Sequence, residues 1–263
     1  MSGFDWTGVV PRPLFEAITD ARAVDPERAV LAARNRKRRR FTVVRGRVCL
    51  AAVDPLPATD RGELLARLVR ALASTWLDGV VAPVEVLEDL LYLDHAVTDT
   101  GTPGCLHGKL IATVGGSPDE ILEYKIDAVR LHNTQELGHW NRLGLPLLAS
   151  APEPPLGLPA ASRMVWLVAP ADRDWSELAR STALPVLLAT QGNDLTHSLR
   201  TIETGMATHP NIRGALLGPE TWMADGLDPL VLGGIAGRLI HQGASLKDAL
   251  KEAAADRKPV CVG

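Results

Sequence analysis

The sequence predicts a single (β/α)8 barrel, the TIM-barrel class, with an N-terminal helical extension. Three observations predict it. Eight short apolar runs recur after residue 40, amphipathic segments separate nearly all of them, and 263 residues is the length of a one-domain barrel. Runs that are apolar on both faces belong to parallel sheets covered by helices. An open doubly wound sheet is the competing arrangement, but it would want a glycine-rich loop after its first strand, where this chain reads Asp54-Pro55-Leu56-Pro57. Residues 1–40 are therefore expected to form the extension and 41–263 the barrel.

A helix over Pro26–Arg36 leads toward the first strand, Val48–Val53, which ends in Asp54-Pro55. Asp60–Ser74 carries Leu64, Leu65, Leu68 and Leu72 at helical spacing, with Asp60 as N-cap. Gly79–Pro83 is the second strand, and Val84–Leu93 the helix after it. Lys109–Val114 is the third strand, closed by Gly115-Gly116. Ser117-Pro118-Asp119-Glu120 then starts a helix that runs to Ile126. Asp127–Asn133 is the fourth strand, Thr134–Leu143 its helix with Gly144 as the stop, and Pro146–Ser150 the fifth strand. Glu153–Ala161 (EPPLGLPAA) is too rich in proline for a regular helix, so the fifth crossover helix is degenerate. Met164–Val168, Pro185–Ala189 and Gly214–Leu217 are the last three strands. Helices are expected around Asp174–Arg180, Asp194–Thr208, Pro229–Ile240 and Ser245–Ala255.

A barrel of this kind builds its site from the loops at the C-terminal ends of its strands. The polar residues there include Asp54, Glu85, Arg130, His132, Asn133, Ser150, Gln191, Asn193, Gly218 and Glu220. Arg130 and His132 alternate onto one face of the fourth strand, with Asn133 opposite. A cation inside a barrel strand needs a partner, and Asp54 or Glu85 would supply it across the mouth. Asp54, Glu85 and His132 are then acid/base candidates, and Arg130 a holder for an oxyanion or carboxylate. The remaining six are expected to bind substrate. A buried salt-bridge post is the alternative for Arg130.

Other classes find little support. The net charge of −3 gives no general electrostatic case for nucleic acid or membrane. No apolar run approaches the length of a membrane span, and MSGFDWTGVVPRP lacks the apolar core of a signal peptide. The cysteines, Cys49, Cys105 and Cys261, form no CxxC pair, and no HxH or HExxH spacing marks a metal site, so neither metal nor cofactor is expected. A cytoplasmic protein acting on a small molecule is the plain expectation, and the proline-rich crossover leaves a homodimer open. One dense basic run, Arg34 and Arg36–Arg40, reads either as a polyanion patch or as the solvated end of the N-terminal helix, the latter favoured. A third reading has one of its arginines closing over an anionic ligand at the mouth or a subunit interface.

The segment TDRGELLARLVRALASTWLDGVVAPVEVLEDLL (Thr59–Leu91), the strand end LAAVDP at Asp54, and two later segments covering the last three strands resemble the class I aldolase barrels. The resemblance is to a bacterial branch related to tagatose-bisphosphate and sulfofructose-phosphate aldolases. It spans most of residues 28–243 and implies a carbon–carbon lyase of carbohydrate metabolism. It also implies a Schiff-base lysine on the sixth strand, where this chain has Val168, and a second lysine on the fourth, where it has Arg130. The phosphate-holding Gly-Arg and Gly-Gly of such enzymes are Gly218-Pro219-Glu220 and Gln191-Gly192-Asn193 here. Guanidinium is not a nucleophile, and none of the six lysines is expected inside the mouth. The sequence therefore points to lysine-free acid–base chemistry on an unphosphorylated carbonyl or hydroxy compound. A catalytically silent barrel serving as a binding or regulatory partner, and a Schiff-base enzyme with a displaced lysine, are the alternatives.

Overall fold

A computed structural model describes residues 5–39, 41, 46–98, 104–132, 139–140, 143–150, 165–171, 174–190, 192 and 194–255. Eight parallel strands close on one another in sequence order. They are β1 (Val48–Ala52), β2 (Gly79–Ala82), β3 (Leu110–Val114), β4 (Ala128–Leu131), β5 (Leu147–Ser150), β6 (Val165–Pro170), β7 (Val186–Ala189) and β8 (Ile212–Leu217). Closure is completed where β8 pairs with β1, Val48 against Gly214 and Leu50 against Leu216. The expected barrel is the observed one.

Alternation along each strand divides the core in two. Val48, Leu50, Ala52, Val81, Ala112, Leu148, Val168, Leu187 and Leu216 fill the barrel interior. Phe41 joins them from just before β1 and packs edge-on against Trp166, ring centroids 5.2 Å apart. The intervening residues, such as Cys49, Ala51, Val80, Ile111, Val129 and Leu167, face the surrounding helices.

Those helices begin as the local chemistry demands. After α1 (Arg12–Val24) and α2 (Arg28–Asn35) come α3 (Arg61–Leu72) and α4 (Val84–Thr98). The Asp60 carboxylate accepts the Glu63 amide at the start of α3. Ser117 and Glu120 form a reciprocal capping box on α5 (Pro118–Glu123), which ends before Lys125 at φ 49° rather than running on to Ile126. Asp174, Asp194 and Asp228 cap α6 (Trp175–Ser181), α7 (Leu195–Thr208) and α9 (Pro229–Gln242) in the same way. The short α8 (Pro219–Trp222) follows β8, and α10 (Leu246–Ala255) follows α9. The expected fourth crossover helix and the Glu153–Ala161 crossover lie largely or wholly outside the described residues.

Among its described residues the extension holds two helices, where one was expected. Their arginines fasten them to the barrel: Arg22 meets Asp89 of α4 at 2.7 Å, and Arg61 of α3 meets the same carboxylate at 2.7 Å. Arg36 reaches under the barrel, donating to the carbonyls of Lys109 and Lys125 and to the Asp127 carboxylate. Asp127 also accepts the amides of Arg39 and Ile111. The basic run is therefore not simply a solvated helix end; its Arg36 is a buried post beneath β3 and β4.

Candidate functional site at the barrel mouth

Residues from opposite sides of the barrel meet at its C-terminal end. Arg130, the third residue of β4, points inward because Ala128, two positions earlier, lies in the barrel interior. Asp54 lies two residues beyond Ala52 of β1, also an inward position. A guanidinium nitrogen of Arg130 lies 3.2 Å from Asp54 Oδ2. His132, just past β4, brings Nε2 to 2.8 Å from the same oxygen. One carboxylate thus joins a buried cation (4% exposed) to an imidazole that is 55% exposed. Burial pushes the Arg130 guanidinium below its ordinary pKa, and the Asp54 charge opposes that shift.

Of the two acids expected to pair with Arg130, the structure selects Asp54. Glu85 is exposed in the first turn of α4, and its carbonyl accepts from Arg22 and Arg61. Among the described residues no ion pair joins its carboxylate to Arg130 or His132. Ser150 ends β5, half-buried and in register with Val168. Gly218 is buried at the start of α8, and its amide is spent on the Thr190 hydroxyl at 2.9 Å. Glu220 is exposed on α8. Asn133, Gln191 and Asn193 lie outside the described residues.

Sequence reasoning missed the scaffold behind this cluster. Thr190 bonds Thr221 at 2.8 Å as well as Gly218, tying the end of β7 to α8. The fully buried Trp222 donates its indole N–H to the Ala52 carbonyl at 3.2 Å, two residues before Asp54. A buried indole needs an acceptor, and this one sets the height of the β1 end.

Val168 occupies the barrel interior and is 2% exposed, so a branched apolar side chain stands where the resemblance implies an amine. Lys109 sits at the opposite end, its ammonium donating to the carbonyls of Ser74 and Leu77 at 2.7 and 2.6 Å. Lys125 donates to the carbonyls of Arg34 and Arg36. Lys37, Lys247 and Lys251 are exposed, and Lys258 lies outside the described residues. Burial pushes the Cys49 and Cys105 thiols up, against thiolate chemistry. Among the described residues no group of three or more His, Cys, Asp or Glu is placed to hold a metal ion. No described helix is long and apolar enough to cross a membrane.

Burial also pushes the Lys109 ammonium down to about 8, with Asp78 opposing and Arg39 reinforcing the shift. The folded chain then releases this proton near pH 8, while the unfolded chain holds it until about 10.5. Stability is lowest, as far as Lys109 is concerned, below the folded value and rises with pH across that window, by up to ~1.4 kcal/mol per pH unit. Urea midpoints measured across the window should rise less steeply in Lys109→Met than in the parent chain. Equal slopes would refute the buried ammonium.

No family model matches the chain, and no curated protein matches it. Solved structures do. Cgl0159 from Corynebacterium glutamicum aligns with a TM-score of 0.72 at 18% identity, over 90% of this chain and 99% of that one. The UMP synthase of Leishmania donovani aligns at a TM-score of 0.47 and 13% identity, over 80% of this chain and 53% of that one. Phospho-2-dehydro-3-deoxyheptonate aldolase from Thermotoga maritima aligns at 0.43 and 13%, over 80% and 70%. At these identities the first alignment establishes the fold: the chain is a (β/α)8 TIM barrel.

Proposed function

We propose that the mouth is the active site of a barrel enzyme running acid–base chemistry on a small, unphosphorylated carbonyl or hydroxy compound, without a Schiff base. The observation that carries this reading is the single Asp54 oxygen approached by both Arg130 and His132. An imidazole nitrogen 2.8 Å from a carboxylate carries the proton between them, so Nε2 is the protonated nitrogen. Nδ1 is then left with its lone pair for a substrate proton. Asp54 holds the ring in that tautomer and stabilises the imidazolium formed when the proton is taken. Arg130 acts through Asp54, fixing its carboxylate, and its charge favours negative charge growing on a substrate oxygen above it. Ser150 is the neighbouring hydroxyl for orienting that substrate, and Glu85 the acid at the rim.

The pattern is that of a lyase or isomerase of the aldolase type which has exchanged its amine for a His–Asp pair. The sequence resemblance and the apolar Val168 inside the barrel support it together. The test is deuterium exchange at carbon next to the carbonyl, followed by NMR across a panel of hydroxyketones and sugars. His132→Gln is expected to slow exchange by about 10²-fold or more. Borohydride added during turnover should leave every lysine unmodified. A reduced adduct on a lysine, or exchange indifferent to His132→Gln, would overturn the reading.

A further inference from the structure

The N-terminal end of the barrel, opposite the mouth, carries a cleft of about 510 Å³. That volume is in the range of small-molecule sites, roughly 300–1,000 Å³. Lys37, Arg38 and Arg39 line it together with Asp94, His95 and His107. Its positive charge runs against that of the whole chain, whose net charge is −3. Arg36, in the lining, is neutralised by Asp127, and among the described residues no ion pair joins Lys37, Arg38 or Arg39 to a carboxylate. Arg38 donates to the Ile121 carbonyl and Arg39 to the Gly108 carbonyl, which satisfies donors without cancelling charge. The ammonium of Lys37 is exposed and has no acidic partner among the described residues. Asp94 is the acid in the lining; it accepts the Leu106 amide at 2.7 Å, and burial pushes its carboxyl up, toward the neutral form.

We infer that this cleft binds a small polyphosphate anion, whether inorganic or the phosphate chain of a nucleotide. Two arginines and a lysine lining one concavity match a chain of linked phosphates, each with several acceptor oxygens. Nucleic acid is disfavoured, because a strand needs an extended basic track with aromatic stacking platforms. Here the cations line one cleft, and among the described residues its lining has no phenylalanine, tyrosine or tryptophan. The site stands apart from the proposed chemistry at the other end of the barrel, and neither depends on the other.

The test is calorimetric titration of the full chain with sodium tripolyphosphate and with a nucleoside triphosphate, each repeated at rising salt. One saturable site is expected, with affinity falling as salt rises. Lys37→Ala/Arg38→Ala should weaken binding about tenfold or more, which is ~1.4 kcal/mol. The double variant Lys247→Ala/Lys251→Ala, with the same charge change on α10, should leave binding unchanged. Lys37→Glu, at a side chain outside the ion pairs of the described residues, repeats the comparison should the double variant fold poorly. Equal weakening by both double variants, no saturable binding, or affinity for single-stranded RNA without affinity for tripolyphosphate would each overturn the inference.

Discussion

Replacing Asp54 with alanine is expected to cost the fold about 3 kcal/mol, the low end of what breaking a buried ion pair costs. The charge left behind decides this. Arg130 is 4% exposed, so a guanidinium already pushed down by burial would lose the carboxylate that opposes that shift. The low end applies because Asp54 keeps 19% of its surface in water. Asp54→Ala combined with Arg130→Met removes both charges and should recover most of the loss, since an apolar side chain of similar length suits the barrel interior. Chemical denaturation of the two variants gives the comparison. A single variant as stable as the parent would show that Asp54 does not compensate Arg130. Activity should separate from stability here: the double variant regains the fold while His132 has lost the group that orients it.

Gly214→Ala is expected to cost more, about 4 kcal/mol or above, enough to lower the melting temperature by roughly 8–16 °C in a chain of this size. β8 bulges just before this residue, Val186 pairing with Ile212 and Leu187 with Gly214 so that Arg213 is passed over. Gly214 takes φ 145°, and a Cβ there would stand 1.7 Å from the Val48 carbonyl oxygen. Relief would require β8 to move off β1 and open the barrel at its closing seam. Gly115→Ala isolates the conformational part of the cost. It too has a positive φ, 78°, but a Cβ there meets nothing within 4 Å, so about 1–2 kcal/mol is expected. Similar melting temperatures for the two variants would show that the seam is not tight.

Regularity made most of the barrel legible. β1 was expected over Val48–Val53 and runs Val48–Ala52; β7 was expected over Pro185–Ala189 and runs Val186–Ala189. Strands apolar on both faces announce themselves, and capping carboxylates mark the helix starts. β6 runs two residues further than expected, to Pro170, because proline can end a strand whose last amide is not needed by the ladder. The helix Arg12–Val24, which buries only Ile18, was not foreseen. Two-residue alternation exposed the shared face of Arg130 and His132, yet Asp54 and Glu85 were equal choices until closure placed the end of β1 beside β4. The role of Arg36 was illegible for a related reason: a run of like charges reads as solvated, and its partner Asp127 is far away in the chain.

That separation has a consequence during synthesis. Asp127 follows Arg36 by 91 residues, so the clamp cannot form until β3 and the start of β4 have left the ribosome, on the order of ten seconds after Arg36 at ordinary translation rates. Until then the face of α2 formed by Ala29, Val30 and Ala33 has no finished barrel to rest against. The nascent chain therefore carries a sticky, strongly cationic segment that stays unclamped until its fourth strand is home.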